Sequence, residues 1–209
     1  MATIYNRLAG RDLGRIAALS DGIFAFAMTL LVLEIRIPER ADVHSEAELW
    51  AGLVALAPRI VTWLMSLMTL GIFWLGQQTQ LGHLARADRN LSWLYFVFLA
   101  VITAFPFSTR LLAEYFTFRV AFFIYWGNIL LAGLALLACL IYEERAGLMR
   151  EDVTPEVKHA LGRRIVFAQA LYAVGAALGL MDVAWGVGFI ILVQLNYAIA
   201  PRLPFLYKV

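Results

Sequence analysis

Apolar residues along the chain are concentrated in six long segments that alternate with short polar stretches. The segments extend approximately over residues 16–37, 49–75, 91–108, 120–142, 165–181 and 183–200. A helix that crosses a bilayer needs about 20 apolar residues, and it satisfies its own backbone hydrogen bonds in lipid. None of the segments shows the strict alternation of a barrel strand. The pattern therefore predicts an all-α polytopic membrane protein with six transmembrane helices in one domain over residues 1–209.

Two boundaries follow from local signals. Only the short region 179–184 separates the last two segments, which leaves open either a tight turn around Asp182 or one long kinked helix. Before the fifth segment, Thr154 and Pro155 fit a helix N-cap followed by proline at the first helical position. We therefore predict a short helix that leads into the fifth span.

The amino-acid composition agrees with a membrane protein and excludes several other classes of protein. Hydrophobic residues make up 62% of the 209 residues and charged residues 15%, against about 45–50% and 25% in soluble domains. This excludes a disordered chain and most small soluble enzymes, and a net charge of +2 indicates no nucleic-acid partner. The first apolar segment is long and lacks a small-residue cleavage pattern, so we expect it to remain as a span.

Lysine and arginine placement predicts the orientation. With a cytoplasmic N-terminus, twelve basic residues face the cytoplasm and five the opposite side. The twelve are Arg7, Arg11, Arg15, Arg86, Arg89, Arg145, Arg150, Lys158, Arg163, Arg164, Arg202 and Lys208; the five are Arg36, Arg40, Arg59, Arg110 and Arg119. We therefore predict that both termini are cytoplasmic. A single six-helix unit further indicates a prokaryotic plasma membrane.

The first outer loop carries four acidic residues, Glu39, Asp42, Glu46 and Glu48. They either solvate the loop or form a mild cation-attracting vestibule. The sequence contains no HExxH, CxxC, Gly-x-Ser-x-Gly, nucleotide-phosphate loop or TVGYG motif. We accordingly expect no enzyme activity, cofactor, metal site or carbonyl-type potassium filter.

The first apolar segment contains ionisable residues, which are expensive in a membrane and usually paired. Arg15, Ser20 and Asp21 lie at its beginning. One interpretation is that Ser20 or Asp21 caps the helix while Arg15 is solvated at the interface. The other is a polar network that holds this helix to its neighbours.

The run from Arg15 to Ile35 resembles the R-x-x-x-F-S-D motif of the endolysosomal potassium channel family (transmembrane protein 175 type), particularly its bacterial members. Here the motif reads Arg15, Leu19, Ser20 and Asp21. The resemblance extends to the Phe73-Trp74 pair and to the segment 104–109.

The resemblance implies a homotetramer of six-helix subunits whose first helices line a central pore. Large apolar side chains would form the constriction, and the matching positions are Phe26, Thr29, Leu30 and Leu33, whose spacing places them on one helical face. It further implies a passive cation channel in a lipid bilayer that prefers K+. The polar network implied below the constriction comprises Arg15, Ser20, Asp21 and Gln77.

Three positions depart from the family pattern. Leu19 replaces the phenylalanine of the motif, and Phe26 stands where isoleucine or leucine is usual. Gln77 and Gln78 stand where bacterial relatives often carry histidines, so any contact from there to the first helix must be made by amides. A secondary transporter, hinted at by Pro106 alone, and a membrane scaffold remain as alternatives.

Overall fold

The computed structural model describes residues 12–39 and 43–199, and over these residues the protein is all-helical. Six residues used above for orientation or loop charge lie outside the described residues, namely Arg7, Arg11, Arg40, Asp42, Arg202 and Lys208. The helices are α1 (Leu13–Val32), α2 (Glu46–Ala55), α3 (Ala57–Gly82), α4 (Arg89–Thr103), α5 (Phe105–Glu114), α6 (Arg119–Arg145), α7 (Pro155–Gly179) and α8 (Val183–Ile199).

The first helix begins earlier and ends earlier than the apolar pattern indicates. Asp12 caps it, and its Oδ1 accepts hydrogen bonds from the backbone N–H groups of Gly14 (2.9 Å) and Arg15 (3.3 Å). The interpretation of Ser20 or Asp21 as the cap is therefore wrong, because both lie inside the helix. At the other end the helix stops at Val32, and the apolar residues up to position 37 are not helical.

The second and third apolar segments are each divided near a proline. α2 ends at Ala55 and α3 begins at Ala57, with Pro58 in its first turn. α4 likewise ends at Thr103, and one residue separates it from α5, whose second residue is Pro106. Proline lacks a backbone N–H and clashes with the preceding turn, so a helix restarts at the proline instead of running through it.

α3 also continues to Gly82, well beyond the apolar segment that ended at position 75. The additional two turns carry polar residues, and Gln77 and Gln80 are buried against other helices instead of facing lipid. Glutamine is a good helix former, so the loss of hydropathy does not end the helix.

The last two spans form a helical hairpin. Leu180, Met181 and Asp182 make a tight turn, in which Asp182 Oδ1 accepts a 2.7 Å hydrogen bond from the N–H of Ala184. Of the two alternatives left open by the sequence, the structure has the turn. The short helix expected before the fifth span is instead continuous with it, because α7 runs unbroken from Pro155 to Gly179.

Four helical segments are long and apolar enough to cross a membrane by length and composition, among the residues described. They are Leu13–Val32, Ala57–Gly82, Arg89–Glu114 and Arg119–Arg145. α8 is apolar but shorter, with 17 residues. The protein is therefore a membrane protein, and the assignment of α7 and α8 as two further spans remains a prediction.

α6 is the centre of the bundle and packs against α3, α4, α5, α7 and α8, while α1 packs on α3, α4 and α5. A line of aromatic rings connects these elements through the core. Phe24 of α1 contacts Phe98 (centroids 6.1 Å apart), Phe98 contacts Phe73, Phe73 contacts Phe105, and Phe105 contacts Tyr125 of α6. Aromatic pairs at such distances stabilise the packing beyond their buried area.

Three of the basic residues that the sequence assigns to the outer side lie together at one end of the bundle. Arg36, Arg59 and Arg110 line one cavity of about 400 Å³ at one end, with Arg110 3.4 Å from Glu34. At the other end the loops after α3 and α6 meet, where the N–H of Ala85 donates a 2.9 Å hydrogen bond to the carbonyl oxygen of Leu148.

The acidic loop before α2 has a structural role. The Ser45 side chain accepts from the N–H of Glu48, and the Glu48 carboxylate accepts from the N–H of Ser45, which forms a capping box at the start of α2. Glu48 therefore helps to start this helix, whatever the loop contributes to the local potential.

Candidate functional site on the first helix

α1 has one face packed into the subunit and one face without a partner in the described chain. The packed face consists of Ser20, Phe24, Ala27 and Leu31, all buried. Their spacing of three and four residues is that of one side of a helix.

The unpartnered face of α1 lies on the other side of the helix and includes the predicted constriction residues Phe26, Thr29 and Leu33. Phe26 is 66% exposed and Leu33 is 68% exposed, and Thr29 is exposed as well. Leu30 is half-buried, because a rotation of 100° per residue brings it closest to the packed face. Packing inside the subunit therefore does not explain Phe26, Thr29 or Leu33.

The Thr29 hydroxyl is oriented by the helix itself. Its Oγ1 donates a 2.8 Å hydrogen bond to the carbonyl oxygen of Phe26, one turn earlier. Because the proton is engaged with the backbone, the hydroxyl oxygen keeps free lone pairs on the unpartnered face. Thr29 thus presents a hydroxyl oxygen on the face that also carries the apolar side chains of Phe26 and Leu33.

A second group of contacts joins the beginning of α1 to the end of α3. The Ser20 hydroxyl donates to the carbonyl oxygen of Ile16 (2.8 Å) and accepts from Gln77 Nε2 (2.7 Å), with Ser20 and Gln77 both fully buried. Buried polar groups are stable only when hydrogen-bonded, so this pair defines the register between the two helices.

Asp21 makes the remaining contacts of this group. Its Oδ1 accepts 2.8 Å hydrogen bonds from the indole Nε1 of Trp74 and from Nε2 of Gln78. The α1–α3 polar contacts are therefore Ser20–Gln77, Asp21–Trp74 and Asp21–Gln78. Two of the three donors, Gln77 and Gln78, are the amides that stand where bacterial relatives often carry histidines. The third donor, Trp74, belongs to the Phe73-Trp74 pair.

Arg15 does not join these contacts within one subunit. No carboxylate in the described residues forms an ion pair with its guanidinium, and Arg15 is exposed. Arg15 and Asp21 are six positions apart on α1, and the expected donation from Arg15 to Asp21 is not made within the subunit. That spacing corresponds to about 120° around the helix and about 9 Å along it. Arg15 lies instead below Phe26, on the unpartnered face of α1.

Trp74 and Gln78 were not among the predicted site residues. The signal for Trp74 was present in the Phe73-Trp74 pair, and an indole N–H within an apolar span needs an acceptor. Gln78 was named beside Gln77 as a source of amide contacts to the first helix, but only helix packing decides which partner on α1 each amide meets. The described residues contain no group of three or more His, Cys, Asp or Glu side chains that could hold a metal ion.

Comparison with known proteins identifies the family. The family model for the endosomal/lysosomal potassium channel TMEM175 matches residues 15–106. A potassium channel of Chamaesiphon minutus is 32% identical over 194 residues, which cover 90% of this chain and 94% of that protein. The chain belongs to the TMEM175 family. The resemblance inferred from the first helix is thereby confirmed.

Structural similarity extends TMEM175 membership to the whole fold. The crystal structure of a lysosomal potassium-selective channel TMEM175 homolog from Chamaesiphon minutus superposes with a TM-score of 0.77 at 30% identity, covering 90% of this chain and 97% of that chain. TMEM175 proteins are ion channels, so family membership supports a cation channel and excludes an enzyme.

Other TMEM175 relatives match over a shorter region. A potassium channel of Streptomyces collinus is 40% identical over 102 residues, about half of each chain (49% and 48%). The human endosomal/lysosomal proton channel TMEM175 is 32% identical over 97 residues, which are 44% of this chain but only 19% of the human protein.

Proposed function

We propose that this protein is the subunit of a passive, K+-preferring cation channel in which the unpartnered face of α1 lines a central pore. The observation that carries the proposal is the exposure of Phe26 and Leu33 on a helix whose opposite face is packed into the subunit. Large apolar side chains rarely remain exposed in a patch unless they meet lipid or another protein surface. A homotetramer, as the family resemblance implies, brings four such faces around one axis.

In this arrangement Phe26, Leu30 and Leu33 form a hydrophobic constriction. An ion passes such a constriction only after it has lost part of its hydration shell, and the pore can close by dewetting. K+ holds its water less tightly than Na+, so an apolar constriction favours K+ to a modest degree. The free lone pairs of the Thr29 hydroxyl replace part of the lost water within the same stretch of pore.

The α1–α3 polar contacts hold the pore-lining helix at a defined rotation and height. Three hydrogen bonds of 2.7–2.8 Å connect α1 to α3 at the end of α1 away from Leu33. If α1 rotated, Ser20 and Gln77 would lose their mutual partner in a buried environment, which is unfavourable. Arg15 is on the unpartnered face and is therefore available to a neighbouring copy instead of to Asp21 of its own subunit.

The membrane topology that fits this function has six spans, with α7 and α8 as the fifth and sixth, in the plasma membrane. An even number of spans returns the C-terminus to the side of the N-terminus. Arg36, Arg59 and Arg110 then face outward together, and the loops that contain Ala85 and Leu148 face the cytoplasm with the larger number of basic residues.

Reversal-potential measurements on purified protein in planar bilayers with a K+/Na+ gradient test the proposal. We expect a K+-favouring reversal potential and no saturable coupling to a second substrate. Phe26→Ala and Leu30→Ala should increase conductance and reduce selectivity, because they widen the constriction. Phe96→Ala and Leu192→Ala are matched controls, since both side chains are also exposed on the subunit but lie on α4 and α8.

Unchanged conductance and selectivity in both α1 variants would remove these residues from the pore. Electrically silent protein that still assembles would favour a scaffold, and saturable flux coupled to a second substrate would favour a transporter. The oligomeric state is measured separately by mass photometry, so a tetramer without conduction and a conducting assembly of another size are distinct results.

A further inference from the structure

A crevice inside each subunit lies among α3, α6, α7 and α8, and it is separate from the unpartnered face of α1. Its volume is about 60 Å³. Most of its lining is apolar and includes Ile72, Phe73, Leu136, Ile165 and Ala168. Polar residues line it as well, namely Thr79, Gln80, Arg164, Gln169, Tyr172 and Tyr197. We call this space the polar crevice.

Three of these polar residues, Gln80, Gln169 and Tyr172, each carry a buried atom that forms no hydrogen bond with the described residues. These atoms are Oε1 of Gln80, Oε1 of Gln169 and the phenolic oxygen of Tyr172. The Tyr172 oxygen lies near the side-chain amide of Gln194 but forms no well-aligned hydrogen bond with it. Gln80 is 1% exposed and Tyr172 is 2% exposed. Nearly all buried polar groups in folded proteins have a partner, so three unpaired groups lining one cavity indicate a bound molecule that supplies the missing hydrogen bonds.

The chemistry of the lining defines what that molecule is. Amide carbonyl oxygens only accept hydrogen bonds, so an anion has no favourable contact with Gln80 or Gln169 through these atoms. A cation is disfavoured because Arg164 lines the same crevice, with its guanidinium carbon 5.9 Å from the ring centroid of Tyr197. No acidic side chain lines the crevice to compensate for a second positive charge. A small neutral hydrogen-bond donor remains.

The volume selects water among neutral donors. A water molecule occupies about 30 Å³ in the liquid, so 60 Å³ accommodates about two of them. Two water molecules supply four donors, which is sufficient for both amide oxygens and the tyrosine hydroxyl. We propose that the polar crevice is an internal hydration site that holds water between α3 and the α7–α8 hairpin, off the axis of the proposed pore.

Other buried tyrosines of the same bundle provide internal controls, because protein groups satisfy their hydroxyls. Tyr125 is within hydrogen-bonding distance of Ser66 (3.1 Å) and Thr69 (3.0 Å), and Tyr95 donates to Glu143 (2.7 Å). Both are fully buried. Tyr125 and Tyr95 therefore share the burial of Tyr172 but not its unpaired hydroxyl.

Hydroxyl-radical footprinting by synchrotron X-rays with mass-spectrometric detection tests the site, using full-length protein in lipid nanodiscs and water as the probe. Radicals form from water in place, so a buried residue beside bound water is labelled although bulk solvent does not reach it. We expect Tyr172 to be labelled several-fold faster than Tyr125 and Tyr95. Equal labelling of the three tyrosines would overturn the inference.

Two variants test whether the label depends on this crevice. Ala168→Phe fills the space and should reduce the labelling of Tyr172 to the level of Tyr125. Ala170→Phe is the matched control on the same helix, because Ala170 is exposed and does not line the crevice. Gln80→Leu removes one hydrogen-bond acceptor with little change in size and should also reduce the labelling of Tyr172. This variant provides the test if Ala168→Phe does not fold.

Persistence of the Tyr172 label in a folded Ala168→Phe or Gln80→Leu protein would also overturn the inference. The labelling measurement requires no ion flux. A dry crevice in a conducting channel and a wet crevice in a silent protein are therefore separate outcomes, and neither inference depends on the other.

Discussion

Asp21 provides the sharpest test of how α1 is held. Both hydrogen bonds from α3 end on its Oδ1, one from Trp74 Nε1 and one from Gln78 Nε2, each 2.8 Å long. Asp21→Asn keeps the shape and an oxygen at this position but removes the charge. A hydrogen bond to an ionised group contributes about 1.5–3 kcal/mol, and one between neutral groups about 0.5–1.5 kcal/mol. The substitution therefore weakens each bond by about 1–1.5 kcal/mol.

The two bonds together lose about 2–3 kcal/mol, and the exposure of Asp21 on the subunit places the expected loss at the lower end, about 2 kcal/mol. For a chain of this size, 1 kcal/mol corresponds to a shift of about 2–4 °C in Tm. We therefore expect Asp21→Asn to unfold about 4–8 °C below the unaltered protein, measured by differential scanning fluorimetry of intrinsic tryptophan in detergent.

Asp152→Asn is the matched control. Asp152 is also paired, with Arg150 Nε at 3.1 Å, but its side chain is 71% exposed and contacts only a neighbour in the loop. Such surface pairs contribute about 0–1 kcal/mol, so this variant should unfold close to the unaltered protein. If Asp21→Asn and Asp152→Asn had the same Tm, the contacts of Asp21 with α3 would not hold α1, and the reasoning would be refuted.

Two further predictions concern the packing of the bundle. Gly186→Val should lower Tm strongly, because a Cβ at Gly186 would lie 2.9 Å from the carbonyl oxygen of Gly175 where α7 and α8 approach each other. Gly188→Val on the same helix, where a Cβ meets nothing within 4 Å, should change it little; equal effects would contradict this close approach. Among the described residues Tyr95 is the only hydrogen-bond donor to the buried Glu143 carboxyl, so Tyr95→Phe should destabilise the protein by about 1–3 kcal/mol in the same assay. An unchanged Tm in Tyr95→Phe would contradict a stabilising role of this hydrogen bond.

Much of the helical architecture could be predicted from the order of apolar residues. A long apolar run in lipid has to be helical because nothing else satisfies its backbone, and this holds for α1 and α6 regardless of their neighbours. Pro58 and Pro106 indicate that the helices break nearby, but they do not determine that the breaks lie at Leu56 and Ala104. The extension of α3 to Gly82 was not foreseeable, because hydropathy does not distinguish a polar residue buried against protein from one that ends a span.

The site on α1 was likewise predictable from the sequence only in part. The motif from Arg15 to Asp21 identified the helix and the family, since those ionisable residues have few reasons to occur at the start of an apolar span. Hydropathy could not distinguish the two faces of the helix, because every face of α1 is apolar. The contacts of Asp21 with Trp74 and Gln78 were equally out of reach, as they join residues 53 and 57 positions apart.

The sequence by itself determined that the chain is helical, membrane-embedded and related to TMEM175 channels, because local hydrophobicity and one short polar motif carry that information. Only the tertiary structure decided which side of α1 is free. Burial of Phe24, Ala27 and Leu31 against α3, α4 and α5 uses one side of the helix and leaves Phe26, Thr29 and Leu33 on the other. The physical reason is that the orientation of a uniformly apolar helix is set by the shape and hydrogen-bonding groups of its neighbours.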